Sequence, residues 1–444
     1  MNVAPEPEKL LPADDKTNGW SAILPRREHR PAAQESADFD WLVVGSGYAG
    51  MAAASRLALL NPSQTVALLE AQQVGEGAQG RNAGFAIDLP HNNDHDPSNM
   101  EKGLRHIRLS RYGIDCLDEL VRTHDIDCQW SRSGRYDCAV SPEISRKILG
   151  STAAELDALG EPYQFLQGEA LHERLGTRYY DSAIYTPGTR LMNPAALSRG
   201  LADALPPNVH LFENSPVLSL KTAPGVTATL PGGVKISARK AVLTNNAFIS
   251  RFGYFKRQLL PFVLFASLSR PLTPEERKRL GGTADWGITP AHGIAGATLR
   301  YTQDFRILFR YGFQFAPALR CPESLRERMK HAHELLFRAR FPMLGQVTLE
   351  HFWAGFLSLT QNGAPGWGRL SENVYAAVNC NGVGIAKQTA AGALIAELAS
   401  DTGHPLIADM IALGAPGMLP HRPILDIGVR AYLASMKWAG RSEK

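Results

Sequence analysis

Cysteine is scarce in this chain and is not arranged to build anything. Cys116, Cys128, Cys138, Cys321 and Cys380 are scattered, with no CxxC spacing. That excludes a disulfide framework and a cysteine-rich zinc site. An excess of one charge is missing too. The 47 basic and 43 acidic side chains leave a net +4, so no nucleic-acid partner is expected. The longest apolar run, LLPFVLFASL at 259–268, is about half of the ~20 residues that a membrane span needs. The opening MNVAPEPEKLLPADDKTNGW lacks the basic and apolar regions of a secretory signal. These absences predict a reducing, cytoplasmic protein with no membrane span. HNNDHD at 91–96 has no accompanying ligand pattern and reads as a polar loop, so no metal is expected.

What is present begins with an arm. Residues 1–37 are polar, rich in Pro, Glu and Arg, and lack any period, so the segment is expected to be extended, in part disordered or wrapped over the body. Order starts at WLVVGSG, a short apolar run ended by glycine, as in a buried parallel strand. Small and apolar residues at helical spacing follow from Tyr48 to Leu60, and then TVALLE at 65–70 reads as a second strand. The far end, 373–400, repeats the order strand, glycine turn, helix. Between them lie strand-like stretches at 128–141, 209–220, 236–247, 259–270 and 296–312. Helices are expected at 98–124 and 322–339, and at 192–205, where Asn193 and Pro194 form a start signal. The fold class is α/β: a discontinuous Rossmann-like domain interrupted by an α+β domain with a mainly antiparallel sheet.

Gly45, Gly47 and Gly50 form GxGxxG between the first strand and its helix, and Glu70 lies at the end of the next strand. The first glycine allows a tight turn, the second lets backbone approach a pyrophosphate, and the third lets helix and strand pack closely. Tyr48 and Ala49 start the helix, whose N-terminus faces the phosphates. A bare turn used only for packing would not need the acid. The motif alone does not separate NAD from FAD.

EAQQVGEGAQGRNAGF (70–85) does. It continues from Glu70 and Ala71, and it resembles the loop G-A-S-G-R-N-G-G of the D-amino-acid oxidase family of flavoproteins. Here Gly77, Ala78, Gln79, Gly80, Arg81, Asn82, Ala83 and Gly84 stand in that loop, with Gln79 in place of the serine. LMNPAALSRGLADAL resembles the family's central helix, and NSPVLSL resembles the strand whose valine, here Val217, meets the adenine. VLTNNAF and HFWAGFLSLTQNGAP match further family stretches. NGVGIAKQTAAG resembles the turn beside the flavin, through Asn381, Gly382, Val383, Gly384, Ile385, Ala386 and Lys387. The likeness spans about 38–400 and is strongest to the γ-glutamylputrescine oxidase-like branch.

The resemblance implies bound FAD and oxidation of the C–N bond of an amine or amino acid to an imine, then an aldehyde or keto product. O2 is the expected acceptor, giving H2O2; a quinone or protein acceptor, and a non-catalytic FAD-binding assembly protein, stand as alternatives. The FAD is expected to be noncovalent. LTQNGAPGW has no cysteine where sarcosine oxidase carries its link, and Cys380 reads as a core residue. Arg300 is the nearest match to the family's carboxylate-binding arginine. Arg310 either reaches the site or faces solvent; His351 and Tyr254 are candidates for its wall, with structural roles as the alternative. Residues 1–37 are expected as the arm. The FAD domain would comprise 38–125, 190–252 and 355–400, the substrate domain 126–189 and 253–354, and a C-terminal extension 401–444. Oligomeric state is not set by the sequence.

Overall fold

The structure, a computed structural model, describes residues 16–91, 99–379 and 381–443. Four consecutive apolar residues, Trp41 to Val44, cannot alternate between core and solvent, so their strand must be covered on both faces. It is. Ala37–Val44 lies inside a sheet ordered Gly366–Ser371, Val374–Val378, Lys235–Leu243, Ala37–Val44, Val66–Leu69, Val209–Phe212. All these neighbours run parallel except the edge hairpin formed by Gly366–Ser371. Ser219–Lys221 and Val226–Thr229 add an antiparallel flap to Lys235–Leu243.

Two helices pack against each other on one face, Tyr48–Leu60 and Gly384–Ala399. Only glycine permits their approach, because a Cβ on Gly392 would sit 2.1 Å from the Ala49 carbonyl oxygen. Met100–Thr123 packs beside them on the same terms, with Gly113 against the Ala386 carbonyl.

The second sheet runs Leu349–Leu359, Leu260–Ser269, Ile307–Phe315, Thr298–Tyr301, Trp286–Pro290, Arg135–Ala139, Ser182–Thr186, Gln164–Gln167. It is antiparallel apart from one parallel contact, Trp286–Pro290 with Arg135–Ala139. Glu323–Arg340 covers part of it through Met329, His333 and Phe337. Phe85–Ala86 pairs with Arg190–Leu191 in a small third sheet.

The expected helix at 192–205 forms as Pro194–Asp203, with the Asn193 side chain accepting from the backbone of Ala195 and Ala196. The expected 209–220 strand breaks after Phe212, where Asn214 takes φ +52°, and resumes at Ser219. Leu349–Leu359 crosses the expected boundary at 354/355 because it pairs with Leu260–Ser269 along its length. The arm is not loose over its described part: Trp20 is wholly buried. Of HNNDHD only His91 falls in the described residues, and Cys380 falls outside them. Among the described residues no helix is long and apolar enough to cross a membrane.

Candidate active site

A cavity of about 380 Å³ is lined by both large sheets. The parallel sheet contributes its glycine turns and strand ends; the antiparallel sheet contributes Leu264, Phe265, Thr289, Thr298, Arg310 and Phe356.

The three motif glycines do three different things. Gly45 takes φ +100° in the tight turn. Gly47 lines the cavity, and a Cβ there would meet nothing within 4 Å, so the room above it is room for a ligand. Gly50 is a packing glycine, since its Cβ would lie 1.8 Å from the Gly45 carbonyl oxygen. The helices Tyr48–Leu60 and Gly384–Ala399 have no side-chain cap, and both begin at the cavity. Their unpaired N–H groups and positive dipole ends suit an anion. Glu70 lines the cavity. Its Oε2 accepts from the Ser46 N–H (2.9 Å) and hydroxyl (2.7 Å), and its Oε1 from the Gln72 N–H (3.0 Å). A carboxylate offers about four acceptor positions, so one is left for a ribose hydroxyl.

The loop over 75–84 is held from outside by its carbonyls. The Asn18 amide donates to the carbonyls of Gly75 and Gly80, each at 3.1 Å. Tyr48 Oη donates to Gln79 (3.0 Å), Trp353 Nε1 to Arg81 (3.0 Å), and Trp20 Nε1 to Asn82 (2.9 Å). Arg300 Nη1 donates to Gly84 at 3.3 Å and also to Met192. With so many acceptors engaged, the loop opposes a pyrophosphate with few free oxygens. Space over Gly47, two uncapped helix N-termini, an acid with an acceptor position to spare and an acceptor-poor loop together fit a dinucleotide.

The substrate sheet offers a different chemistry. Its cavity-lining residues include no carboxylate, and Arg310 is the cation among them. Arg310 stands opposite Thr298 in the ladder, and its guanidinium makes no hydrogen bond or ion pair with the described residues. Burial alone pushes its guanidinium down to about 10. Nearby, His91 Nδ1 lies 2.9 Å from Arg135 Nη1. A guanidinium can only donate, so Nδ1 accepts and a neutral ring carries its proton on Nε2. Arg135 is anchored by Asp137 (3.0 Å) and by Thr289 (3.2 Å). Arg251 also lines the cavity, with its guanidinium pushed down by burial and by Arg320.

Several expected positions sit elsewhere. Arg300 does not line the cavity: it is wholly buried beneath the 84 and 192 backbone, with its guanidinium over the Trp20 ring. Burial pushes it down to about 10. His351 and Tyr254 do not line the cavity either. His351 packs against Gly19, while Tyr254 packs beside the apolar core of the parallel sheet. Asn381 is buried and braces the neighbouring turn, its Oδ1 accepting from the Thr360 N–H at 2.9 Å. Ala386 and Lys387 do not line the cavity, although Ile385 before them and Gln388 after them do, and Gly50, Gly80 and Gly84 shape the loops from behind. The structure brings to the cavity Gly45, Gly47, Tyr48, Ala49, Glu70, Ala71, Gly77, Ala78, Arg81, Asn82, Ala83, Val217, Gly382, Val383, Gly384, Ile385 and Arg310. It adds Thr289, Thr298, His91, Asn246 and Gln388, which sequence reasoning missed. Thr298 carried one signal, two residues before Arg300 and so on the same strand face.

The family described as FAD dependent oxidoreductase, DAO, matches residues 40–398. Gamma-glutamylputrescine oxidoreductase of Escherichia coli (strain K12) is 26% identical over 402 residues, covering 88% of each chain. The probable oxidoreductase OrdL of Haemophilus influenzae is 26% identical, covering 81% of this chain and 82% of its own. The crystal structure of glycine oxidase from Geobacillus kaustophilus superposes with a TM-score of 0.69 at 20% identity, covering 83% of this chain and 96% of that one. The chain belongs to the DAO family of FAD dependent oxidoreductases.

Proposed function

We propose that the cleft holds FAD noncovalently and oxidises the C–N bond of a small amine or amino acid that carries an anionic group. The bare guanidinium of Arg310 in the substrate half of the cavity carries this reading. FAD, when bound, would supply a two-electron sink for oxidation of the C–N bond, in which the carbon next to nitrogen loses a hydride and the nitrogen a proton, giving an imine that water hydrolyses. The residues do the rest. Arg310 clamps the anion by a fork of charged hydrogen bonds. Thr298 and Thr289 offer hydroxyls beside it. Phe265, Leu264 and Phe356 keep the reacting end dry. The uncapped N-terminus of Gly384–Ala399 would stabilise negative charge on a group bound at that end of the cavity. Glu70 takes the ribose and the Gly47 turn the pyrophosphate.

The relatives support an amine substrate, two of them being named for glycine and for γ-glutamylputrescine. Oxygen is the proposed acceptor, in keeping with the neighbour named an oxidase. The two-domain division and a cytoplasmic location belong to the same proposal; the described cysteines, Cys116, Cys128, Cys138 and Cys321, are all free thiols. The test is a hydrogen peroxide screen of the flavin-loaded protein against neutral amines, amino acids and phosphonate-bearing amines. Turnover confined to the anionic ones is expected. Equal turnover of neutral amines would refute the clamp.

A further inference from the structure

A polar arm with no periodicity gives no reason to expect a buried indole, yet Trp20 is wholly enclosed. The short helix Gly19–Ala22 wedges it between the 75–84 loop and the substrate sheet. A Cβ on Gly19 would lie 2.6 Å from the Trp353 ring and 2.7 Å from His351 Cβ, so only glycine lets the arm lie so flat. Asn18 and Trp20 between them hold three loop carbonyls, at Gly75, Gly80 and Asn82. Trp353, edge-on to Trp20, holds a fourth at Arg81.

Farther along, Arg27 grips both oxygens of the wholly buried Glu213 at 2.9 Å. Glu213 also accepts from the Val74 N–H (2.7 Å) and the Arg30 N–H (2.6 Å). Ala33 N–H then donates to Ser215 Oγ at 3.0 Å, and Ser215 lines the cavity. The arm therefore fastens two walls of the site at once, the 75–84 loop through its carbonyls and the 213–215 turn through Glu213 and Ser215, and so reinforces the direct bond from Val74 to Glu213.

We propose that residues 18–33 are a built-in strap of the FAD site, whose docking and FAD binding strengthen each other. The proposal rests on the reading of the cleft as an FAD site. Coupling between two binding events is reciprocal. Strap docking must raise FAD affinity by the factor by which FAD favours the docked strap.

Trypsin digestion of the whole protein tests this without a mutation. Arg26 and Arg27 are the cleavage points within the strap, since Arg30 precedes a proline. FAD is expected to slow cleavage there roughly tenfold relative to the apoprotein, while cleavage in the 406–443 region stays unchanged. Asn18→Ala frees two carbonyls and should raise the FAD dissociation constant roughly tenfold. Trp20→Phe keeps one aromatic ring but deletes the indole N–H and the five-membered ring, losing one loop bond instead of two, and should weaken binding less.

A strap that merely stabilises the fold would lower the melting midpoint of apo and loaded protein equally. Equal lowering in Asn18→Ala, or cleavage unaffected by FAD, overturns the proposal. Gly47→Val separates the two readings. If it abolishes FAD binding while Asn18→Ala does not weaken it, the strap is wrong and the site stands. If Gly47→Val binds FAD normally, the site reading itself fails.

Discussion

Arg310→Met removes the guanidinium and keeps most of the stem's volume. In the native site that guanidinium is partly buried, makes no hydrogen bond or ion pair with the described residues, and is pushed by burial down to about 10. Two opposite consequences follow. An anionic substrate loses its clamp, and breaking one partner from a buried charged pair costs about 2–5 kcal/mol, or about 30- to 5,000-fold in kcat/KM. The unliganded fold, in contrast, gains. A depressed guanidinium means that the folded state resists the charged form at every pH below about 10. At 1.36 kcal/mol per pKa unit the penalty is at most roughly 3 kcal/mol, and solvent screening of a partly exposed side chain reduces it to about 1–2. The assay is paired. The ratio of kcat/KM for an anionic and a neutral amine is measured in both proteins, alongside the thermal midpoint without substrate. The variant should lose selectivity for the anionic amine while melting a few degrees higher. An unchanged ratio would refute the clamp; a lower midpoint would show that Arg310 has a structural partner.

Glu70→Arg deletes an acceptor and adds a cation, so FAD affinity measured by apoprotein titration should fall about 10- to 150-fold, the value of one charged hydrogen bond; an unchanged constant would misplace the ribose. Acid precipitation should release all flavin into the supernatant, and flavin retained in the pellet would reveal a covalent link. Glu276 bonds Arg270 at 2.6 Å and closes a capping box with Thr273, and Arg270 above all holds its carboxyl down at about 2. Its stabilisation is full above the ordinary carboxylate value and fades as pH falls toward 2. Glu276→Gln should therefore cost about 2 kcal/mol in urea unfolding at neutral pH, the two curves converging near pH 2; a constant gap across that range would refute the ion pair.

The nucleotide half of the site was legible because its chemistry is local. Gly45, Gly47 and Glu70 follow one another through a strand, a turn and a second strand, so spacing in the chain is spacing in space. The substrate half was not. Arg300 and Arg310 sit on adjacent strands with the same face inward, Arg300 opposite Leu308 and Arg310 opposite Thr298. Alternation therefore cannot rank them. What separates them is the Gly84 and Met192 backbone, which lies over Arg300 and leaves Arg310 open to the cavity. Trp20 was hidden for a similar reason. A single wedge in a polar segment has no period, and its partners, Asn82, Trp353 and Arg300, are far off in sequence. Within 209–220 the local turn signals, Asn214 with its tolerance of positive φ and Pro216 two residues on, sit inside an otherwise strand-like stretch and are what break it.

The central claim is that the cleft brings an amine to a bound flavin. It is tested most directly by mixing flavin-loaded protein with carboxylate-bearing amines in the absence of oxygen and following the visible flavin spectrum. The account predicts bleaching within the mixing experiment, release of the matching aldehyde or keto product, and recovery of colour with peroxide when air is admitted. A flavin that no amine bleaches but that NADPH reduces at once would contradict it.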